Sequence, residues 1–298
     1  MENLLFIYNP TAGKGRARLR LSAIVNAFTR AGRLVTVYPT QAQGDARRAA
    51  RELAPKFDRV AVCGGDGTLH EVMAGLMDLP KSARPPVGYI PAGTTNDYAR
   101  NLGLPRGMEK IAALAATGEP RGVDLGMLGE NYFIYVAAFG AFTDVAYNTP
   151  QQAKNALGHL AYVLKGASEL TNVTHYRLSI AHDDGILEGD YLYGMVSNTI
   201  SVGGLIGLPS NEVALDDGLL EAILVKMPQS VPEFNAAVRA LARQEYSEES
   251  GVIALHSSRF RFSCAETVPF TADGEFGGEY KEVEISAVHT PVRIVYGK

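Results

Sequence analysis

The sequence predicts an α/β fold: an N-terminal doubly wound parallel-sheet domain followed by a second, mostly antiparallel β-sandwich domain. Three observations predict it. Up to about residue 125, short continuous apolar runs alternate with segments of helical spacing, as expected of strands covered by helices on both faces. Three of these runs lead into glycine-rich loops instead of polar hairpins. After "VDLG" (123–126) the apolar runs follow one another with few helices between them, as in antiparallel sheet.

Taken in order, "LLFIY" (4–8) reads as the first strand, and Leu21, Ile24, Val25 and Phe28 fall at helical spacing with Gly32 as a stop signal. "LVTVY" (34–38) is a second strand, and Ala46, Ala49, Ala50 and Leu53 mark a helix that must end before Pro55. "RVAVC" (59–63) is a third strand feeding a glycine loop and a helix through Val72 and Leu76. "PVGYIPAG" (86–93) supplies a fourth strand and its loop. In the second half "NYFIYVAAF", "YRLSIA", "YLYGMVSN", "LLEAILVK", "RFRFSC" and "EVEISA" are strands. Two helices interrupt them, one over roughly 151–171 and one opening at Ser230, where "SVPE" forms a capping box with Glu233.

Composition narrows the function. Of 298 residues 46% are hydrophobic, enough for a sizeable core, and the net charge of −4 gives no global attraction to nucleic acid or an anionic membrane. The two cysteines, Cys63 and Cys264, form no paired motif and point to a reducing compartment. "MENLLFIYNP" lacks a cationic lead and reads as a strand, not a signal peptide. No apolar run approaches the roughly 18 residues of a membrane span. Six scattered histidines without HExxH or a His/Cys cluster argue against zinc. A cytoplasmic protein is expected.

Chemistry concentrates in three loops at carboxyl ends of strands, where open parallel sheets bind ligands. In "GGDGT", Gly64, Gly65 and Gly67 let phosphate oxygens approach backbone amides at a helix start. Asp66 repels a bare phosphate, so it fits there if a divalent cation lies between; alternatively it caps the helix. Thr68 offers a hydroxyl or a cap. "YNPTAGKGRAR" (8–18) lacks the first glycine and final Ser/Thr of the GxxxxGK[ST] phosphate loop, yet Lys14 is placed to neutralise phosphate or pair with Asp66. In "PAGTTNDYAR" (91–100), Thr94 and Thr95 offer hydroxyls, and Asn96 or Asp97 caps the next helix. With Asp124, three carboxylates fall at strand or loop ends on one expected rim, a possible cation-binding cluster.

"NPTAGKG", "GGDGTLHEV" and "PAGTTNDYAR", with "GGLIGLPSNEVALDDGLLEAILV" (203–225) and "FTADGEFGG" (270–278), resemble the soluble bacterial diacylglycerol kinases and their wider lipid-kinase family over essentially the whole chain. The resemblance implies two domains, 1–125 plus about 289–298 and 126–288, with ATP between them and the lipid-substrate cleft completed by the second. Nucleotide-binding positions carry over onto Asn9, Pro10, Thr11, Ala12, Gly13, Thr40, Gly65, Asp66, Gly67, Thr68, Leu69, His70, Glu71 and Thr94. Asp66, Asp97, Asp124 and Lys14 match a charged network that organises magnesium (Mg2+) and phosphates. Glu275 matches the general base, and Asp217 with the carbonyls of Ala214 and Leu219 matches a structural magnesium loop. Here His70 stands where the family usually has asparagine, and Ala12 where it often has serine.

The implied reaction is ATP-dependent phosphorylation of diacylglycerol to phosphatidic acid at the inner face of the cell membrane, through transient peripheral contact. Alternatives are a kinase of another hydroxylated lipid such as phosphatidylglycerol, or a nucleotide-binding regulator without turnover. Alone, Glu275 beside Asp273-Gly274 also reads as a solvated residue at a hairpin turn, and Asp216-Asp217-Gly218 as an ordinary turn. A stripe of Ala153, Leu157, Leu160, Ala161, Leu164 and Ala167 packs on a core or borders an acyl-chain entrance. Arg16, Arg18, Arg20, Arg47, Arg48 and Arg51 touch headgroups or line solvated helices. A homodimer is expected from the resemblance alone, and no nucleic-acid partner is.

Overall fold

The computed structural model describes residues 2–94, 96–140, 174–199, 201–202, 206–207 and 214–297. The chain divides into two compact units, Met1–Val123 with Thr290–Lys298, and Asp124–His289.

In the first unit strands β1 (Glu2–Tyr8), β2 (Arg33–Pro39), β3 (Arg59–Gly64) and β4 (Val87–Pro91) are all parallel. They lie in the order β2-β1-β3-β4, and the C-terminal strand adds Ile294 beside Val87 on the far side of β4. Leu4 through Ile7 are fully buried, which is why β1 is apolar without alternation. Around the sheet run α1 (Ala12–Leu19), α2 (Leu21–Arg30), α3 (Asp45–Leu53), α4 (Asp66–Met77), α5 (Asp97–Asn101) and α6 (Met108–Thr117). Leu4, Phe6 and Tyr8 pack with Ile24 and Phe28 of α2 and with Ala112, Ala115 and Ala116 of α6. On α3 and α4 the buried faces are Ala46, Ala49 and Ala50, and Leu69, Val72 and Met73. Gly75 of α4 must be glycine, since a Cβ there would overlap the Arg47 carbonyl of α3.

Helix α6 goes beyond the sequence reading. Its C-terminal carbonyls are met by guanidinium groups: Arg59 Nη1 donates to the carbonyls of Ala115 (3.1 Å) and Gly118 (3.0 Å), and Arg33 Nε to that of Ala116 (2.9 Å). Burial, with Arg33 and Arg293 nearby, holds the Arg59 pKa down to about 10. Two of the arginines proposed to touch headgroups are otherwise engaged. Arg47 forms a two-pronged pair with Asp78, and Arg48 pairs with Asp45.

The second unit is built on antiparallel sheet. Its strands are β5 (Pro120–Leu128, shared with the first unit), β6 (Asn131–Phe133), β7 (Val136–Gly140), β8 (Tyr176–His182), β9 (Gly185–Ser197), β10 (Ser201–Val202), β11 (Ile206–Gly207), β12 (Leu220–Lys226), β13 (Val252–Ser257), β14 (Arg259–Ala272) and β15 (Glu275–Val295). The order runs β13-β12-β9-β7-β14-β15. One half of β9 and one half of β14 pair with β8, the other halves with β7, so these long strands serve two parts of the sheet. A single core follows, with Phe139, Phe260, Phe262 and Phe270 at its centre. Phe139 and Phe262 meet edge to face at 5.7 Å.

The run expected as one strand, "NYFIYVAAF", is two, β6 and β7, because its middle amides bond elsewhere. Helix α7 (Val231–Arg243) starts at Ser230, whose Oγ accepts from Glu233 N at 3.3 Å. The reciprocal arm of the box is shifted: Glu233 Oε2 accepts from Gln229 N at 2.8 Å. The apolar stripe at 153–167, Arg16's side chain and Thr95 lie outside the described residues. Among the described residues no helix is long and apolar enough to cross a membrane.

Candidate functional site

Within the first unit the three glycine-rich loops converge. Asn9, just past β1, donates N–H to the Cys63 carbonyl at 2.9 Å, and its Nδ2 reaches Thr68 Oγ1 at 3.4 Å. Its Oδ1 accepts from Thr11 N (2.9 Å) and Thr11 Oγ1 (2.8 Å), closing the turn at Pro10. The Ala92 and Gly93 amides both donate to the Gly64 carbonyl, at 2.8 and 3.2 Å. Thr40 N donates to the Tyr8 carbonyl at 2.9 Å, placing Thr40 at the same end of the sheet.

The backbone of 13–15 runs against its natural hand. Gly13, Lys14 and Gly15 have φ of 56°, 61° and 80°, and a side-chain-bearing residue there costs about 1–2 kcal/mol. Gly13 also has no room, because a Cβ would overlap the Ala92 carbonyl. At Gly93 a Cβ would stand 2.5 Å from Gly65 Cα. These glycines are required by loop-to-loop contact.

Gly67 is different. It lies in the first turn of α4, and no described atom is within 4 Å of the place its Cβ would take. No side-chain hydrogen bond caps this helix among the described residues, and the Thr68 amide of its first turn donates to the Gly65 carbonyl at 3.1 Å. Nothing within the described protein requires glycine here.

Asp66 has a structural task. Its Oδ2 accepts from Asp97 N at 3.0 Å and its Oδ1 from Tyr98 N at 3.3 Å, capping α5 from a distant loop. Asn96, at φ 53°, accepts from Gly93 N (2.8 Å) and donates to the Gly93 carbonyl (2.9 Å). Asp97 is buried with Arg100 Nε 4.0 Å from its carboxylate. Lys14 is exposed.

The positions carried over from the family therefore separate by place. Leu69 is fully buried in the core, and Glu71 accepts from Gly44 N (2.9 Å) and Ala46 N (3.0 Å), capping α3. Thr68 is buried, Ala12 and His70 are half-buried, and Thr11 and Thr94 are exposed.

In the second unit the two-residue turn Asp273-Gly274, at φ 51° and 85°, joins β14 to β15 as a type I′ hairpin. The Asp273 carboxylate accepts three amides, Ile134 (2.7 Å), Tyr135 (3.0 Å) and Val136 (3.1 Å), which is what splits β6 from β7. Glu275 follows the turn and is exposed, as is Phe276, the next residue of the strand.

Asp124 is completely buried. Its N–H donates to the Leu215 carbonyl at 2.7 Å, its Oδ2 accepts from Gly218 N at 2.6 Å, and its Oδ1 lies 3.0 Å from His289 Nδ1. The loop so held carries Ala214, Asp217 and Leu219, with Asp217 Oδ1 accepting from Leu219 N at 3.0 Å. Glu221, beyond it, is buried with neither carboxylate oxygen hydrogen-bonded among the described residues. Burial first, then Asp217 and Asp124, raise its pKa to about 8. Glu221 and His289 were missed by the sequence reading; the one local signal is a lone acid inside the apolar run "LLEAILV". Among the described residues no three His, Cys, Asp or Glu side chains are grouped to hold a metal ion. Carbonyl and carboxylate oxygens at 214–219 nonetheless suit magnesium in donor chemistry.

Residues 3–128 match the family model of the diacylglycerol kinase catalytic domain. A diacylglycerol kinase of Bacillus subtilis is 35% identical over 280 residues, 93% of this chain and 91% of its own. One from Staphylococcus carnosus is 34% identical over 92% of this chain and 88% of its own. A crystal structure of a diacylglycerol kinase from Bacillus anthracis superposes with a TM-score of 0.76 at 25% identity, covering 99% of this chain and 97% of its own. A second structure from that organism reaches 0.82 at 27% identity, covering 99% and 95%.

Proposed function

This chain belongs to the diacylglycerol kinase family, and we propose that it transfers the γ-phosphate of ATP to the free hydroxyl of diacylglycerol, giving phosphatidic acid. The observation that carries the nucleotide half of this reading is Gly67, whose Cβ would meet no described atom within 4 Å at a helix start without a side-chain cap among the described residues. A triphosphate laid there meets backbone amides and the positive end of the α4 dipole without displacing protein. Lys14, exposed in the left-handed turn of 13–15, supplies a positive charge from the first of the three loops.

Phosphoryl transfer asks chiefly for alignment and charge neutralisation. Asp66 and Asp97 are the carboxylates that would hold magnesium, which would supply positive charge to offset that on the transferred phosphoryl group. The Asp66 carboxylate is already oriented by two amides, so it needs no reorganisation when ligand arrives. Glu275 accepts the proton of the attacking hydroxyl. Its hairpin is fixed by the three amides on Asp273, and the exposed Phe276 ring of the same hairpin offers an apolar surface to an acyl glycerol. The lipid is met at the membrane surface by transient peripheral contact.

Radiolabelled ATP offered with micellar diacylglycerol, phosphatidylglycerol and other hydroxylated lipids tests the reading. Label is expected in phosphatidic acid. ATP binding without transfer to any lipid refutes it, and label in another lipid alone reassigns the acceptor. Glu275→Gln is expected to bind ATP normally and lose transfer by about 10²–10⁴.

A further inference from the structure

We propose that His289 is a positioning residue: its imidazole fixes the carboxylate of Asp124 and, through it, the loop 215–218 that carries Asp217. Asp124 and His289 are the first and last residues of the second unit, 165 positions apart in sequence, and their side chains meet at 3.0 Å. A carboxylate oxygen accepts, so His289 Nδ1 carries the hydrogen in this contact. The partner oxygen of Asp124 accepts from Gly218 N at 2.6 Å. The two donors grip opposite oxygens, so the imidazole sets the plane of the carboxylate that Gly218 meets.

The same ring lies against the loop. A Cβ on Gly218 would stand 3.5 Å from His289 Nδ1, ordinary contact distance, and Gly218 itself has φ 79°, where glycine is favoured. The loop backbone is tied to Asp124 a second time through the Leu215 carbonyl. The origin of the imidazole is also fixed. Thr290, the next residue, is β-branched yet held at φ 42°, an unfavourable conformation that persists only where its surroundings impose it. Beyond it the Pro291 carbonyl accepts from Arg84 Nη1 at 2.9 Å.

Packing does not account for the imidazole, because the His289 side chain is 61% exposed while the Asp124 side chain is fully buried. The ring reaches inward only with Nδ1. This is the arrangement of a side chain that orients another group, as distinct from one that fills a core. Its consequence for turnover rests on the kinase reading above; its consequence for the loop does not.

The test uses the full-length protein with His289→Ala and His289→Asn, since the asparagine amide offers an N–H where Nδ1–H stood. Amide hydrogen exchange of the segment 214–220 is followed by mass spectrometry, alongside kcat and KM with ATP and micellar diacylglycerol. His289→Ala is expected to speed exchange in that segment and to lower kcat by about 3- to 10-fold, the loss of one charge-assisted hydrogen bond from a half-exposed donor. KM for ATP is expected to stay within about twofold, because His289 is not among the positions matched to nucleotide binding. His289→Asn is expected to restore most of both. Unchanged exchange, or unchanged kcat in an active enzyme, overturns the proposal. So does a loss that asparagine fails to restore and that tracks a fall in Tm, which assigns His289 to folding alone. If the wild-type protein phosphorylates no lipid, the kinase reading fails and the exchange data alone decide the role of His289.

Discussion

Replacing Gly67 by alanine separates ligand chemistry from folding. The residue has helical backbone in α4, and its would-be Cβ meets no described atom within 4 Å. Alanine at a helical position is favoured over glycine by up to about 1 kcal/mol, so Tm is expected to rise by about 2–4 °C for a chain of this size. A phosphate seated on the first turn sees the opposite effect. The new methyl group stands where an oxygen must approach the amides, and losing one charge-assisted hydrogen bond costs about 1.5–3 kcal/mol. At 1.4 kcal/mol per tenfold, Kd for ATP is expected to weaken about 10- to 100-fold. Calorimetric titration of ATP into both proteins, with thermal melts on the same samples, gives the two numbers independently. A Gly67→Ala protein that is more stable and binds ATP within about twofold of wild type would falsify the view that phosphate rests on this turn.

Gly13→Ala is expected to fail in both respects, because its Cβ overlaps the Ala92 carbonyl and its φ is 56°; a Tm fall with at least about tenfold weaker ATP binding checks this. Asp66→Ala removes both amide contacts to α5 and should lower stability by about 1–2 kcal/mol in urea melts. Asp66→Asn keeps an accepting oxygen and most of that stability, yet should lose magnesium-dependent nucleotide binding; equal ATP affinity in its presence would sink the charge argument. Glu221 has a native pKa of about 8, raised from 4.5, so the folded state holds a proton that the unfolded state has released. The sign follows: stability falls as pH rises from about 4.5 to about 8 and levels off above. Glu221→Gln should remove that slope, on the order of 3–5 kcal/mol across the window, read as urea midpoints at pH 5, 6.5 and 8.

What the sequence disclosed, and what it hid, follows from the range of the forces involved. β1, β3 and β4 were legible because strands buried on both faces must be apolar throughout, and their boundaries are punctuated by glycine or proline. The I′ turn at Asp273-Gly274 is likewise local chemistry. Helix α6 escaped because the face it buries is largely alanine, too weakly apolar to stand out in "MEKIAALAAT". The strand "NYFIYVAAF" was read as continuous because the carboxylate that breaks it lies more than 130 residues away. Asp66 with Asp97, and Asp124 with His289, are similarly set by topology, which no spacing rule encodes. The matched block 65–71 spans different surroundings, since the helical period turns the Leu69 side chain into the core and that of Glu71 onto α3.

The run "GGDGT" can now be divided by cause, and the division carries the functional argument. Gly64 is required by the protein itself, since a Cβ would stand 2.5 Å from the Thr68 side chain. Gly65 tolerates one by distance, at 3.4 Å from Gly93 Cα, but it lets Gly93 press close. Asp66 is held by the α5 amides, and Thr68 is buried where Asn9 meets it. Four of the five residues therefore have partners inside the fold: Thr68 of the same run for Gly64, and residues of the two other glycine loops for Gly65, Asp66 and Thr68. Among the described residues only Gly67 has none. A turn selected for folding alone gains from alanine at that position, because alanine lowers helix free energy and meets nothing. Glycine persists there at a stability cost, and the cost is explained when the missing neighbour is a phosphate that arrives with substrate.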